Sequence, residues 1–200
     1  METLLIYRLG SMGDTVVALP CFHKIAATFP QARKIVITNR PISTEAAALE
    51  QILEGSGLVQ GYIDYPIGLR KFSALADLAR EIKASKARDL VYLTDRPQLL
   101  DVLRDVAFFR LVGIRRVVGA PLATDQRIAK TDHETGIQEP EAERLARCLS
   151  SLGRIDLEDP SVWDLRLRRD EIERAVRSLS PLAGGKFIAI HMGTKDTIKD

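Results

Sequence analysis

The stretch LLIYRLGSMGDTVVALP, residues 4–20, decides the fold of this 200-residue chain. Its first four residues form an apolar run that is typical of a fully buried β-strand. Gly10 and Gly13 follow, and they permit a tight turn or a close approach of the backbone to a ligand. Asp14 then precedes a second apolar run and is predicted to be the N-cap of a helix over residues 15–28. A polar turn directly after a buried strand predicts a ligand site, because open α/β sheets bind ligands at the carboxyl ends of their strands.

Strand and helix patterns alternate along the rest of the chain. Further strands are predicted at residues 34–38, 62–65, 90–93 and 117–119, and further helices at 44–53, 72–84, 99–111 and 141–152. Strands that alternate with helices predict an α/β fold with a doubly wound, mostly parallel sheet.

A change in composition near residue 157 predicts two domains. The segment 154–160 is polar and ends in a proline, which suits an interdomain linker. One complete α/β domain is expected over residues 1–157, followed over 158–200 by the linker and the start of a second α/β unit. In that unit a short strand is predicted at 164–167, a helix at 170–179 and a strand at 187–190.

The composition excludes several classes of protein. A hydrophobic fraction of 46% supplies a core, and a net charge of only +2 argues against a nucleic-acid partner. Cys21 and Cys148 are far apart and are expected to be reduced thiols of a cytoplasmic protein. His23, His133 and His191 match no metal-ligand spacing, so no metal site is expected.

The pattern leaves two alternatives open for the glycine turn. Asp14 is either a helix cap, the commoner role of a Gly-Asp pair before a helix, or a general base. The third glycine of a dinucleotide-binding turn is missing, but Arg40 follows the second strand and can hold a 2′-phosphate. An NADP-dependent oxidoreductase therefore remains an alternative function.

Two segments resemble a known enzyme family. The string RLGSMGD at residues 8–14, followed by Leu19-Pro20, resembles the opening of the bacterial heptosyltransferases of glycosyltransferase family 9, the ADP-heptose:lipopolysaccharide heptosyltransferases. Residues 191–199 are similar to the family segment that opens the second domain. The resemblance implies a GT-B fold, in which two Rossmann-like domains face a cleft. The N-terminal domain would hold the acceptor, and the C-terminal domain would hold the nucleotide sugar.

The resemblance also implies roles for individual residues. Asp14 matches the family's general base. Arg8 is expected either to bind the acceptor or to orient Asp14, and the turn residues Ser11, Met12 and Gly13 are expected to bind the acceptor. Donor contacts are expected from the C-terminal segment, namely Gly193, Thr194 and Lys199, with Lys195 as an alternative to Lys199.

The implied reaction is an inverting glycosyl transfer. A heptose or related sugar would pass from a nucleotide-diphosphate sugar such as ADP-heptose to a lipopolysaccharide core acceptor, without an obligatory cofactor or metal. The enzyme would be cytoplasmic, with peripheral contact with the membrane face that carries the acceptor. Because the later donor-binding motifs lie beyond Asp200, the chain is expected to be inactive alone. A non-catalytic acceptor-binding fragment is the second alternative.

Overall fold

A five-stranded, all-parallel β-sheet forms the centre of the computed structural model, which describes residues 2–39, 49–66, 72–182, 185–188 and 190. Its strands are β1 (Thr3–Tyr7), β2 (Arg33–Thr38), β3 (Gly61–Asp64), β4 (Asp89–Tyr92) and β5 (Arg116–Val118), in the spatial order β3-β2-β1-β4-β5. The chain adds β2 and β3 on one side of β1 and then crosses to add β4 and β5 on the other. The strand order therefore reverses between β1 and β4, and such a reversal opens a crevice at the carboxyl ends of the strands.

Eight α-helices connect and extend these strands within the described residues. They are α1 (Met12–Val17), α2 (Leu19–Thr28), α3 (Glu50–Leu53), α4 (Phe72–Ser85), α5 (Leu99–Leu111), α6 (Thr124–Arg127), α7 (Glu141–Cys148) and α8 (Arg169–Leu179). Short 3-10 helices occur at Ser150–Leu152, Pro160–Trp163 and Ser180–Leu182.

The sheet is covered on both faces, which confirms the doubly wound architecture. Leu4 and Ile6 of β1 pack with α2 and α7, where Phe22 and Leu145 are buried. The alternate residues of β1 pack on the opposite face with α4 and α5. A strand buried on both faces needs apolar residues at every position, so β1 appears in the sequence as an unbroken apolar run.

The first helix begins earlier than predicted and is divided in two. Ser11, not Asp14, is the N-cap, and Asp14 is the third residue of α1. α1 ends at Val17, and α2 begins at Leu19 with Pro20 in its first turn. Pro20 has no N–H to donate to the preceding helical turn, and its ring would clash with a backbone carbonyl of that turn. The predicted helix over 15–28 is therefore interrupted before Pro20.

The C-terminal part confirms its helix but not its strands. The helix predicted at 170–179 is present as α8, whereas residues 164–167 are irregular. Phe187, Ile188 and Ile190 belong to no strand, and Ile188 is 87% exposed. A strand requires a neighbour for its backbone N–H and C=O groups, and apolar composition alone does not supply one.

Both cysteines are free and buried. Burial raises the pKa of the Cys21 thiol to about 12 and also raises that of Cys148. Thiols in such surroundings stay protonated and unreactive. Within the described ranges, no helix combines the length and the apolar character that crossing a bilayer requires.

Candidate active site

The turn between β1 and α1 holds the Asp14 carboxylate through one of its oxygens. The Ser11 N–H donates to Asp14 Oδ2 at 2.6 Å and the Asp14 N–H donates to Ser11 Oγ at 3.5 Å, which forms a capping box. The Ser11 hydroxyl also donates to Asp14 Oδ2, at 2.8 Å. Asp14 Oδ1 accepts no hydrogen bond from a described residue, and the side chain is exposed. Asp14 thus supports the helix start from the third helical position rather than as the N-cap, and its predicted role as a general base stays a prediction.

The two glycines of the turn do different things. Gly10 has φ +138°, and a Cβ there would lie 2.7 Å from Asp14 Oδ2 and 2.9 Å from Asp14 Cβ. Gly13 lies in the first turn of α1, where the nearest atom to a Cβ would be Ser11 Oγ at 3.8 Å. Gly10 thus makes room for the Asp14 side chain, whereas Gly13 leaves an open surface beside it.

Side chains from both neighbouring strands fix the turn in place. Gly10 N–H donates to Asn39 Oδ1 at 3.0 Å, directly after β2. Leu9 N–H donates to Thr94 Oγ1 at 3.1 Å, and the Thr94 hydroxyl donates to Tyr7 O at 3.1 Å. Asn39 and Thr94 were not predicted as site residues, although both are polar residues that follow a buried strand and so belong to the carboxyl edge of the sheet.

The Arg8 side chain donates its hydrogen bonds to backbone oxygens inside the protein. Its side chain is buried and donates to Leu93 O at 2.6 Å and to the backbone oxygen of Asp14. Burial lowers the pKa of Arg8, while the negative charges of Asp14 and Glu141 act in the opposite direction. The guanidinium therefore ties the end of β4 to the first helix and neutralises part of the negative charge at this edge.

A second buried arginine, Arg144 of α7, lies at the same edge. Its Nε and Nη2 each donate to a Glu141 oxygen at 2.6 Å, and Nη1 donates to Gln126 O at 2.8 Å. Asp95, in the loop after β4, lies 3.4 Å from Nη2. Although burial lowers the pKa of Arg144, its bonds to Glu141 leave that pKa raised. The network joins α6, α7 and the loop after β4 around the turn.

On the other face of the sheet, a third cation is held by a buried carboxylate. Asp105 of α5 accepts from Tyr92 Oη at 3.0 Å and from Arg96 Nε at 3.1 Å. Arg96 Nη2 also donates to Tyr7 Oη at 3.0 Å. Because Tyr7 and Tyr92 end β1 and β4, this arrangement positions Arg96 beyond the carboxyl ends of both strands. Arg96 is 24% exposed, so it can contact a ligand there.

The structure brings one group of the predicted site residues together. Arg8, Ser11, Met12, Gly13 and Asp14 form the turn described above. The predicted donor residues Gly193, Thr194, Lys195 and Lys199, together with Arg40 and His191, lie outside the described residues. His23 lies on α2, where its Nε2 is 2.7 Å from Asp164 O. The described residues contain no group of three or more His, Cys, Asp or Glu side chains that could hold a metal ion.

The fold is similar to that of solved glycosyltransferases. No family model matches the chain, and no curated protein sequence matches it. The structure of a glycosyl transferase family 9 protein from Veillonella parvula matches 92% of this chain with a TM-score of 0.54 and 14% identity. The ADP-heptose lps heptosyltransferase II of E. coli matches 90% of this chain with a TM-score of 0.50 and 14% identity.

The five-stranded α/β fold of the described residues is similar to part of the fold of these GT-B-like glycosyltransferases. At 14% identity it is a likeness of fold. The chain spans about half the length of these proteins, since it covers 51% of each.

Proposed function

We propose that this chain forms the acceptor-binding half of an inverting glycosyltransferase. The enzyme would transfer a heptose or related sugar from a nucleotide-diphosphate sugar such as ADP-heptose to a lipopolysaccharide core. The observation that carries the proposal is the Asp14 carboxylate after the central strand, with Oδ2 held by Ser11 and with no described residue donating a hydrogen bond to Oδ1. The choice of sugar and acceptor rests on the resemblance of residues 8–14 to the heptosyltransferases. With such a glycolipid acceptor, the location that we propose is the cytoplasm, in peripheral contact with the membrane.

In the proposed reaction Asp14 is the general base. Its Oδ1 takes the proton from an acceptor hydroxyl while that oxygen forms a bond to the anomeric carbon of the donor. The bond between that carbon and the diphosphate oxygen breaks, and the nucleoside diphosphate leaves with the electron pair. Gly193, Thr194 and Lys199 are proposed to bind the diphosphate, with Lys199 supplying positive charge to the leaving group.

The other residues of the turn have supporting roles. The burial of Arg8 favours the orienting role over direct contact with the acceptor, because its donors serve Asp14 O and Leu93 O. Met12 and Gly13 lie in the first turn of α1, where the open surface beside Gly13 admits the acceptor. Arg96 is proposed to contact the negatively charged groups of a phosphorylated acceptor.

The capping box also weighs against the NADP alternative. A dinucleotide-binding turn offers its N–H groups to the pyrophosphate at the helix N-terminus. Here Asp14 Oδ2 accepts the Ser11 N–H, so a negative charge already lies at this helix N-terminus and disfavours a second anion there. Titration with NADP and with ADP-heptose distinguishes the two functions, and tight binding of NADP alone would support the oxidoreductase.

The substitution Asp14→Asn tests the proposal in the full-length protein. The Asn oxygen can still accept from Ser11, so the cap is retained, but the basic oxygen is lost. We expect turnover to fall by about a hundredfold or more while the melting temperature changes little. Asp159→Asn is the matched control, because Asp159 is also a helix-capping carboxylate, accepting the Ser161 N–H at 2.9 Å, but lies away from the turn, so turnover should be unchanged. Near-normal turnover of Asp14→Asn would reduce Asp14 to a helix cap.

A further inference from the structure

A cavity lies between α2 and the segment 154–166. It is half-open, has a volume of about 540 Å³, and none of its lining residues belongs to the turn at Asp14. Pro20, Ala26 and Ala27 of α2 form one wall, and Ile155 and Val162 form part of the other. A volume of this size is within the range of small-molecule sites.

Cations without carboxylate partners line this cavity. Lys24, Arg154 and Arg166 form no ion pair with any carboxylate in the described part of the chain. Among the residues that the structure describes, the Arg166 side chain donates only from Nη1 to Ser56 O, at 3.4 Å. Lys24 Nζ lies against Gly153, where a Cβ would approach it to 2.9 Å. Three positively charged side chains therefore line the cavity, and each has N–H donors that are not used by the described residues.

Lys34 adds a buried cation to the same lining. It is 4% exposed, and Nζ donates to Phe29 O at 3.1 Å and to Ala32 O at 2.9 Å. An ammonium group has three N–H donors, and the third has no acceptor among the described residues. Burial lowers the pKa of Lys34, and a bound anion would offset that by favouring the charged form.

The two carboxylates that line the cavity accept hydrogen bonds from backbone N–H groups of the segment 154–166. Asp156 accepts the N–H of Glu158 at 3.2 Å, and Asp159 accepts the N–H of Ser161 at 2.9 Å. They stabilise the turns of the segment rather than pairing with the cations. The lining consequently keeps an excess of positive charge, with four basic side chains against two acidic ones.

We propose that this cavity binds a small phosphorylated anion, whose oxygens accept hydrogen bonds from Lys24, Arg154 and Arg166. Cations contributed separately by α2 and by the segment 154–166 suit a compact group with several negative oxygens. Bound there, the anion connects the segment to α2 and so holds the chain that leads from the sheet to α8. The site is independent of the proposed transferase reaction.

Titration of the chain with inorganic pyrophosphate at constant ionic strength tests the proposal. We expect saturable binding by calorimetry and a rise in melting temperature of about 2 °C or more at saturation. Lys24→Gln and Arg154→Gln should each weaken binding by about tenfold, because each removes a charge-assisted hydrogen bond. Both side chains are at least partly exposed, so folding should be retained, and circular dichroism checks it.

Two control variants separate this site from other cations. Arg80→Gln changes an exposed arginine of α4 and should leave pyrophosphate affinity unchanged. Arg96→Gln alters the candidate active site and, once circular dichroism shows that this variant is folded, should also leave pyrophosphate affinity unchanged. The proposal would be overturned if the wild type did not bind pyrophosphate, or if Lys24→Gln and Arg154→Gln left the affinity unchanged. Loss of binding in the folded Arg96→Gln variant would also overturn it.

Discussion

Gly10 and Gly13 belong to one turn but should respond oppositely to substitution. Gly10→Ala would place a methyl group 2.7 Å from Asp14 Oδ2 at a φ of +138°, so Asp14 must move and the capping box must open. We expect a loss of about 1–3 kcal/mol in the free energy of unfolding. Gly13→Ala meets open space within a helix and should be neutral or stabilise by up to about 1 kcal/mol. Urea denaturation of both variants measures this difference, and equal effects would contradict the packing role of Gly10.

The candidate site was predictable where its residues are neighbours in sequence. Arg8, Ser11 and Asp14 lie within one turn, so the local pattern placed them together. Arg96 and Arg144 reach the same edge from α-helical and loop segments far along the chain, through contacts that only tertiary packing creates. In the sequence, each of these arginines looks like an ordinary exposed residue of a loop or an amphipathic helix. No local pattern therefore marks either one as part of the site.

At the level of elements, strands were predicted better than helix boundaries. Residues 4–7 and 90–93 are buried on both faces, and their apolar runs therefore marked the strands. The start of α1 was ambiguous because Ser11 and Asp14 are both capping residues and act as the two halves of one box. The apolar run at 187–190 predicted a strand that the described residues there do not form. A strand also needs a neighbouring strand, and the sequence of the run does not show whether one is present.

The hydrogen bonds that hold the segment before α7 should depend on pH, because they are accepted by the carboxylate of Glu139. Its oxygens accept from Arg147 at 2.5 and 2.6 Å and from Lys130 N–H at 2.7 Å, and the bonds to Arg147 lower the pKa of Glu139. A lowered folded-state pKa means that the stabilisation is complete above the unfolded pKa of about 4.3 and is lost as pH falls through the folded value. We expect the Lys130 amide resonance to titrate in that acidic range by NMR.

Two substitutions test the assignment of that titration to Glu139. Glu139→Gln should abolish it, because the neutral amide cannot lose or gain the proton. Glu143→Gln, at an exposed position of α7, should leave it in place. Persistence of the titration in Glu139→Gln would assign it to another group.

For the whole molecule, α8 presents an uncovered apolar face. Ile172, Val176 and Leu179 recur at helical spacing and are 49%, 63% and 46% exposed. Such a stripe on a helix usually faces a core, so this chain alone should self-associate at high concentration. Val176→Glu should reduce the association measured by sedimentation velocity, whereas Arg174→Glu, which changes a charged residue of α8, should not. A monomer at all concentrations would contradict this expectation.

The division into domains at 157/158 remains a proposal for the whole molecule. Ile155 and Leu165 both pack against the core on the α2 face of the sheet. The segment on either side of the proposed boundary is therefore attached to the first domain, whereas α8, which follows it, leaves Ile172, Val176 and Leu179 exposed.

The burial of both cysteines makes the native protein convenient for site-specific labelling. Cys21 and Cys148 are the two cysteines of the sequence, and their thiols are enclosed in the folded chain. A cysteine introduced on α8 would react with a maleimide dye at neutral pH while the native thiols stay protected. Fluorescence from that single position could then report movement of α8 relative to the sheet without first removing the natural cysteines.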